Sequence, residues 1–238
     1  MPLRLLTAPP SLCDRFCAAL LAASLPLVSW GQAQTQPVPR AFFGAPLELP
    51  GVVLHGGGQD PQGFSNYVKV LGTHRPIIYK MYYNLEDDLE KVFARRVAQL
   101  EAHAKEFNEF LIPEIGLSMV REPQRRAFDD EVAQGRYDQK LEQFCAALRR
   151  MGRPAFVRIG FECNGPWNNY RPESYKHAFV RITEMLRRET TETATVWCIV
   201  PHRGYMAFYP GDQYVDWWGV DLFSKEDLTS EVTLAFMA

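Results

Sequence analysis

The chain has 238 residues, 47% of them hydrophobic, and a formal net charge of −2 at pH 7. That is enough for one sizeable core, and for a single domain or a tight pair. Lys and Arg are spread along the chain without the basic stripe that nucleic acid requires, so no nucleic-acid partner is expected.

The N-terminus reads as a signal peptide over residues 1–33. Arg4 and Arg15 supply positive charge, Cys17 to Val28 is apolar, and Gly31-Gln32-Ala33 offers the small residues a signal peptidase requires. The apolar run is short and broken by Pro26, which argues against a membrane span. A secreted or periplasmic protein is expected, free of the membrane after cleavage, with a linker over residues 34–50. Cleavage would remove Cys13 and Cys17. Cys145, Cys163 and Cys198 remain, an odd number without CxxC spacing, so neither a disulfide framework nor a zinc site is indicated.

From residue 51 strand-like and helix-like periods alternate. Gly51-Val52-Val53-Leu54 reads as a first strand opening into a glycine-rich loop, and Pro76 to Tyr82 as a second. Leu85, Leu89, Val92, Phe93, Val97, Leu100, Ala104 and Phe107 then mark a long amphipathic helix. Phe110 to Ile115 is a third strand. After a charged loop, Tyr137, Leu141, Phe144, Cys145, Leu148 and Met151 predict another helix, closed by Gly152 and Pro154. A fourth strand runs from Ala155 to Phe161. Pro172 and Glu173 open a helix that buries Tyr175, Phe179, Ile182 and Met185. Thr195 to Val200 and Tyr214 to Leu222 are strands five and six, and Ser224-Lys225-Glu226-Asp227 resembles a capping box.

Such alternation implies a parallel sheet, either doubly wound or part of a (β/α)8 barrel. A barrel typically needs about 250 residues. The expectation is therefore an α/β fold over residues 51–238, a (β/α)8 TIM barrel with about six of its eight units. A complete six-stranded domain is the alternative.

The most informative phrase is Val157-Arg158-Ile159-Gly160-Phe161-Glu162-Cys163-Asn164-Gly165-Pro166-Trp167-Asn168. A carboxylate at the C-terminal tip of a buried strand sits where parallel α/β folds carry their chemistry. Tryptophan can stack on a sugar face, and asparagine can hydrogen-bond sugar hydroxyls. Glycoside hydrolysis needs a carboxylic acid to protonate the leaving oxygen, and burial raises a carboxyl pKa into that role. The competing reading is an ion pair of Glu162 with Arg158 or Arg171.

With Tyr170-Arg171-Pro172, Tyr209-Pro210-Gly211-Asp212, Tyr214 to Asp221 and His55-Gly56-Gly57-Gly58-Gln59, this phrase resembles glycoside hydrolase family 26 and its mannanase-like relatives, across roughly residues 51 to 224. The resemblance implies a (β/α)8 barrel, a retaining two-carboxylate mechanism on a β-linked oligo- or polysaccharide, and no cofactor. The family's acid/base glutamate falls on Glu162. Its nucleophile is a glutamate ending strand seven, a role that no residue of this sequence inherits. Phe161 stands where the family usually has histidine.

Asn164, Trp167, Tyr82, Glu114, Trp217 and Asp221 are the candidate substrate contacts. Glu114 could equally pair with an arginine and Asp221 could equally form an ion pair or cap the last helix. Trp217 and Trp218 alternate, so only one can reach the cleft. There is no Gly-x-Ser-x-Gly elbow for an esterase, Phe64 occupies the lysine position of a P-loop, and the five histidines lack metal-ligand spacing, so no metal is expected. A non-catalytic carbohydrate-binding protein on the same scaffold is the rival reading. Oligomeric state is left open.

Overall fold

Six parallel strands follow one another across a single sheet in strict chain order. They are β1 (Gly56–Gly58), β2 (Ile78–Asn84), β3 (Ile112–Ser118), β6 (Ala155–Ile159), β7 (Thr193–Ile199) and β8 (Trp217–Val220). The computed structural model describes residues 53–237, all within one compact unit. The proposed leader and the linker over 34–50 lie outside the described residues. A doubly wound sheet would reverse its strand order partway. This sheet does not reverse, and its curled arc forms six successive units of a (β/α)8 barrel.

Helices α1 (Pro61–Leu71), α2 (Ala94–Phe107), α4 (Asp138–Met151) and α5 (Pro172–Glu189) occupy the crossovers. Two short 3-10 turns, Tyr205–Phe208 and Asp212–Tyr214, stand in place of a helix between β7 and β8. The chain closes with α6 (Lys225–Leu228) and α7 (Glu231–Met237).

Sequence pattern accounts for most of these elements. Pro172 starts α5, which buries Tyr175, Phe179, Ile182 and Met185 as expected. Helix α4 buries Leu141, Phe144, Cys145 and Leu148 and ends at Gly152, whose φ of 64° is the left-handed conformation that glycine adopts freely. The Ser224–Asp227 capping box is present.

Other expectations need correction. Among the described residues the first strand is Gly56–Gly58; Val53 and Leu54 of the expected Gly51 to Leu54 strand are not in it, and Gly51 and Val52 lie outside the described residues. The glycines run against β2 so closely that a Cβ on Gly56 would meet the Ile78 carbonyl at 2.0 Å, and side-chain pattern cannot announce such a strand. Helix α1 escaped notice although Asp60 caps it, accepting from the Gly63 amide at 2.6 Å. The helix expected from Leu85 starts later, with a π-helical turn at Leu89–Phe93 before α2. Strand β3 extends to Ser118, three residues beyond the expected end. The charged loop contains an antiparallel hairpin, β4 (Val120–Arg121) with β5 (Arg126–Ala127), and a short helix α3 (Asp129–Ala133). The final helix is broken at Thr229.

Strand alternation builds two apolar layers. Tyr79, Met81, Tyr83, Ile115, Val157, Ile159, Trp197 and Ile199 face outward and form the main core with Phe64, Leu100, Phe144 and Phe179 of the helices. Inward-facing Ile112, Phe156, Ala194 and Val196 form a smaller cluster, with Ile78 and Trp217 against it. Towards the strands' C-terminal ends this concave face changes from apolar to charged, and that change positions the site.

Gly116 of β3 sits beneath the mouth. A Cβ there would lie 2.6 Å from the Tyr82 ring and 3.1 Å from Phe161. Gly116→Ala is therefore expected to displace both rings and cost about 1–3 kcal/mol through overpacking. Urea unfolding measures it, and an unchanged midpoint would refute this packing.

Candidate active site

Beyond Ile159 the chain turns through two left-handed residues, Gly160 at φ 52° and Glu162 at φ 53°. For a glutamate that conformation is uncommon and costs on the order of 1–3 kcal/mol. Its surroundings hold it in place. Asn168 donates from Nδ2 to the carbonyls of Phe161 (2.9 Å) and Glu162 (3.0 Å), and the Gly165 amide donates to the Glu162 carbonyl at 2.8 Å. Buried Tyr175 donates its hydroxyl hydrogen to the Ile159 carbonyl, and the Met119 amide donates to the Tyr170 hydroxyl at 3.1 Å.

The Glu162 carboxylate accepts from Trp167 Nε1 at 2.6 Å. Its pKa lies above the ordinary glutamate value. Burial is the largest cause, the Trp167 hydrogen bond opposes it, and the charge and hydrogen bonding of Asp221 push it further up. Arg158 also opposes the rise, but forms no ion pair with Glu162.

Arg158 is instead the buried hub beneath the mouth. Its side chain is 3% exposed, and it pairs with Glu114 at 3.2 Å and, through Nη2, with Asp221. The same nitrogen lies 3.2 Å from Cys198 Sγ, and the guanidinium sits 5.4 Å from the Phe161 ring centre. Burial disfavours its charge, but Cys198, Asp221 and Glu114 outweigh that and hold it more firmly protonated than usual. Nη1 has no hydrogen-bond partner among the described residues.

The structure brings Glu162, Trp167, Tyr82 and Asp221 to the mouth. Tyr82 packs edge-on against Phe161 at 5.1 Å, making an aromatic floor. Asp221 follows β8, with its amide bonded to the Ile199 carbonyl. Three candidates are placed differently. Glu114 is the third residue of β3, and its carboxylate is engaged by Arg158, the arginine pairing that was the alternative to a substrate contact. Asn164 uses its amide to tie the loop to β7, donating to the Val200 carbonyl and accepting from the Val200 amide, both at 2.9 Å. Trp217 packs edge-on against Phe156 at 5.6 Å in the lower apolar layer, below the mouth. Trp218 points to the opposite face, against Trp197 and Tyr209. Neither tryptophan of that pair reaches the cleft.

Two neighbours were not foreseen. His202 and Phe223 each meet the Trp167 ring edge-on at 6.2 Å. Phe223 is 67% exposed beside the mouth, and its amide donates to Asp227 of the capping box at 2.8 Å. The capping motif could have drawn attention to it; His202 lies in a loop without pattern. Among the described residues no cluster of His, Cys, Asp and Glu could hold a metal ion.

The opposed influences on Glu162 give a signed prediction. Asp221→Asn removes a neighbour that raises its pKa and should shift its titration to lower pH. Trp167→Phe removes a donor to the ionised form and should shift it to higher pH. Carboxyl-selective ¹³C NMR reads both, and shifts in the same direction would contradict the geometry.

A carboxylic acid beyond the strand tip, with an indole on it and an aromatic floor beside it, thus stands at the mouth of the barrel arc. Residues 128–236, the segment that carries Glu162, Trp167 and Asp221, match the family model described as Glycosyl hydrolase family 26. The match begins at Phe128, so the part of the resemblance drawn from residues 51 to 127 lies outside it. The chain is 28% identical over 103 residues to a beta-1,3-xylanase of Alcaligenes sp, covering 40% of this chain and 22% of that protein. It is also 28% identical over 120 residues to the beta-1,3-xylanase TXYA of Vibrio sp, covering 48% and 25%. The chain thus spans about a quarter of the length of these curated relatives. A solved structure of a Podospora anserina GH26-CBM35 beta-(1,4)-mannanase aligns at 15% identity with a TM-score of 0.49, covering 72% of this chain and 45% of that one.

Proposed function

We propose that this chain carries the acid/base half of a retaining glycoside hydrolase acting on a β-linked polysaccharide, with β-1,3-xylan as the first substrate to test. One observation carries the reading. Glu162 stands at the mouth with its carboxyl pKa raised and the Trp167 indole on one of its oxygens. The two relatives named as beta-1,3-xylanases support the choice of polymer.

In the first step the protonated Glu162 delivers its hydrogen to the leaving glycosidic oxygen as the bond to the anomeric carbon breaks. A second carboxylate attacks that carbon from the opposite face. In the second step ionised Glu162 takes a proton from water, whose oxygen displaces the enzyme carboxylate, and Glu162 returns to its acid form. Asp221 is not placed to be the attacker: its carboxylate is paired with Arg158 and close enough to Glu162 to raise that group's pKa, whereas retaining carboxyls stand about 5–5.5 Å apart across the bond. The proposal assigns attack to a glutamate on a seventh strand, which is not among the described elements.

Export through the leader at residues 1–33 belongs to the same proposal. No helix among the described residues is long and apolar enough to cross a membrane. Reducing-end release from β-1,3-xylan, β-1,4-xylan and β-1,4-mannan by a protein that joins these residues to the seventh-strand glutamate tests the reading, with β-1,3-xylan preferred. Binding without release would favour the carbohydrate-binding alternative, and neither binding nor release would sink both.

A further inference from the structure

On the mouth face, beside the Trp167 loop, lies a second concave site of about 300 Å³, formed where the β4–β5 hairpin meets the start of α5. Arg125, Arg126, Arg171 and Asn169 line it, with Asp129 and Asp130. The hairpin follows β3 and the 160–171 loop follows β6, so both belong to connections at the strands' C-terminal ends, the side of a barrel that carries substrate. Two hydrogen bonds stitch this pocket to the site. Arg125 Nε donates to the Trp167 carbonyl and Asn169 Nδ2 donates to the Arg125 carbonyl, both at 2.9 Å, while the Trp167 indole reaches Glu162.

Most described arginines, such as Arg121, Arg149, Arg153 and Arg181, sit against a carboxylate. Arg126 and Arg171 form no described hydrogen bond through their guanidiniums and no ion pair within 4 Å. Asp129 is engaged elsewhere: it is buried, it accepts from the Ser174 hydroxyl at 2.5 Å and from the Arg171 amide at 3.4 Å, and burial raises its pKa. The Oδ1 atom of Asp130 accepts from the Glu131 amide at the start of α3. Arg125 is partly engaged, its Nη1 3.4 Å from Glu122, so the pocket presents chiefly the guanidiniums of Arg126 and Arg171, which have no carboxylate partner within 4 Å. Guanidinium forks match oxyanions in geometry and stay charged at every working pH.

We propose that this pocket is an anion subsite, taking a sulfate ester or carboxylate carried by a sugar unit of the polysaccharide held at the Glu162 mouth. The inference rests on the glycosidase reading of that mouth and gives its substrate a charge class. A chain lying along Trp167 would place one sugar at Glu162 and a more distant unit against the arginines.

Calorimetric titration of the full chain with three oligosaccharides of equal length tests this: neutral, sulfated and uronate-bearing. One anionic form should bind about tenfold more tightly than the neutral one, the margin of one charge-assisted contact, and the margin should shrink as salt rises. Preference for sulfate identifies the ester and preference for uronate the carboxylate. In R126Q/R171Q the ratio should fall towards one, with the melting temperature as fold control, and R126K/R171K should restore part of it. Equal affinity for neutral and anionic forms, or a preference that survives R126Q/R171Q, overturns the subsite alone. Failure of every oligosaccharide to bind overturns the glycosidase reading with it.

Discussion

In a protein that joins these residues to the seventh-strand glutamate, Glu162→Gln is expected to lower glycosidic turnover about 10²–10⁴-fold while oligosaccharide binding persists. The amide keeps the carboxyl's shape and an oxygen that can still accept from Trp167, but has no proton to give. The deficit should depend on the leaving group. A natural sugar alkoxide leaves poorly without protonation, whereas an aryl glycoside with an acidic phenol needs little help and should lose far less. That contrast separates proton donation from a merely structural role, which would lower both rates together. Equal losses, or retained turnover on the polysaccharide, would remove Glu162 from the acid position.

Arg158→Met should be the most destabilising change at the site, costing about 3–5 kcal/mol. The guanidinium is almost fully buried between Glu114 and Asp221, and its removal leaves two carboxylates on the concave face with no counter-charge. Those side chains are 25% and 23% exposed, and water relieves part of their penalty, so the lower end of the range is expected. Even so, about 3 kcal/mol is a large share of a domain stability of about 5–15 kcal/mol. Adding Glu114→Gln and Asp221→Asn to Arg158→Met should recover much of the loss, because the uncompensated charges are then gone. Urea unfolding of the three variants measures this, and a single-variant loss below about 1 kcal/mol would show that Arg158 is not the hub.

The fold was legible where side-chain period and local chemistry agree. Helices α4 and α5 have apolar stripes, a glycine stop and a proline start, and their buried faces were readable residue by residue. Strands β2, β6 and β7 were found because β-branched and aromatic runs mark a sheet covered on both faces. The three glycines of β1 carry no side-chain period, and what makes them a strand is the closeness of the β2 backbone. The β4–β5 hairpin has two residues per strand, too few for alternation to register.

At the site, Glu162 and Trp167 were legible because one phrase contains both, and Asp221 because it follows an apolar strand. The sequence could not show how polar valences are spent. Asn164 looks like a sugar ligand by residue type, yet its amide is committed to the Val200 backbone. Trp217 looks like a stacking surface, yet the phase of β8 sends it below the mouth. Arg158 pairs with Glu114 and Asp221, not with Glu162, because alternate residues of a strand share a face. Such partnerships depend on register between strands far apart in sequence.

The most direct measurement is the titration of the Glu162 carboxyl itself, by ¹³C NMR on the selectively labelled full chain and assigned by its loss in Glu162→Gln. A raised pKa means that the protonated form persists to higher pH, as an acid catalyst requires. A midpoint clearly above the ordinary glutamate value of about 4.3 is predicted. A midpoint at or below that value would mean that Glu162 is ionised under working conditions, and the proton-donor role would be contradicted.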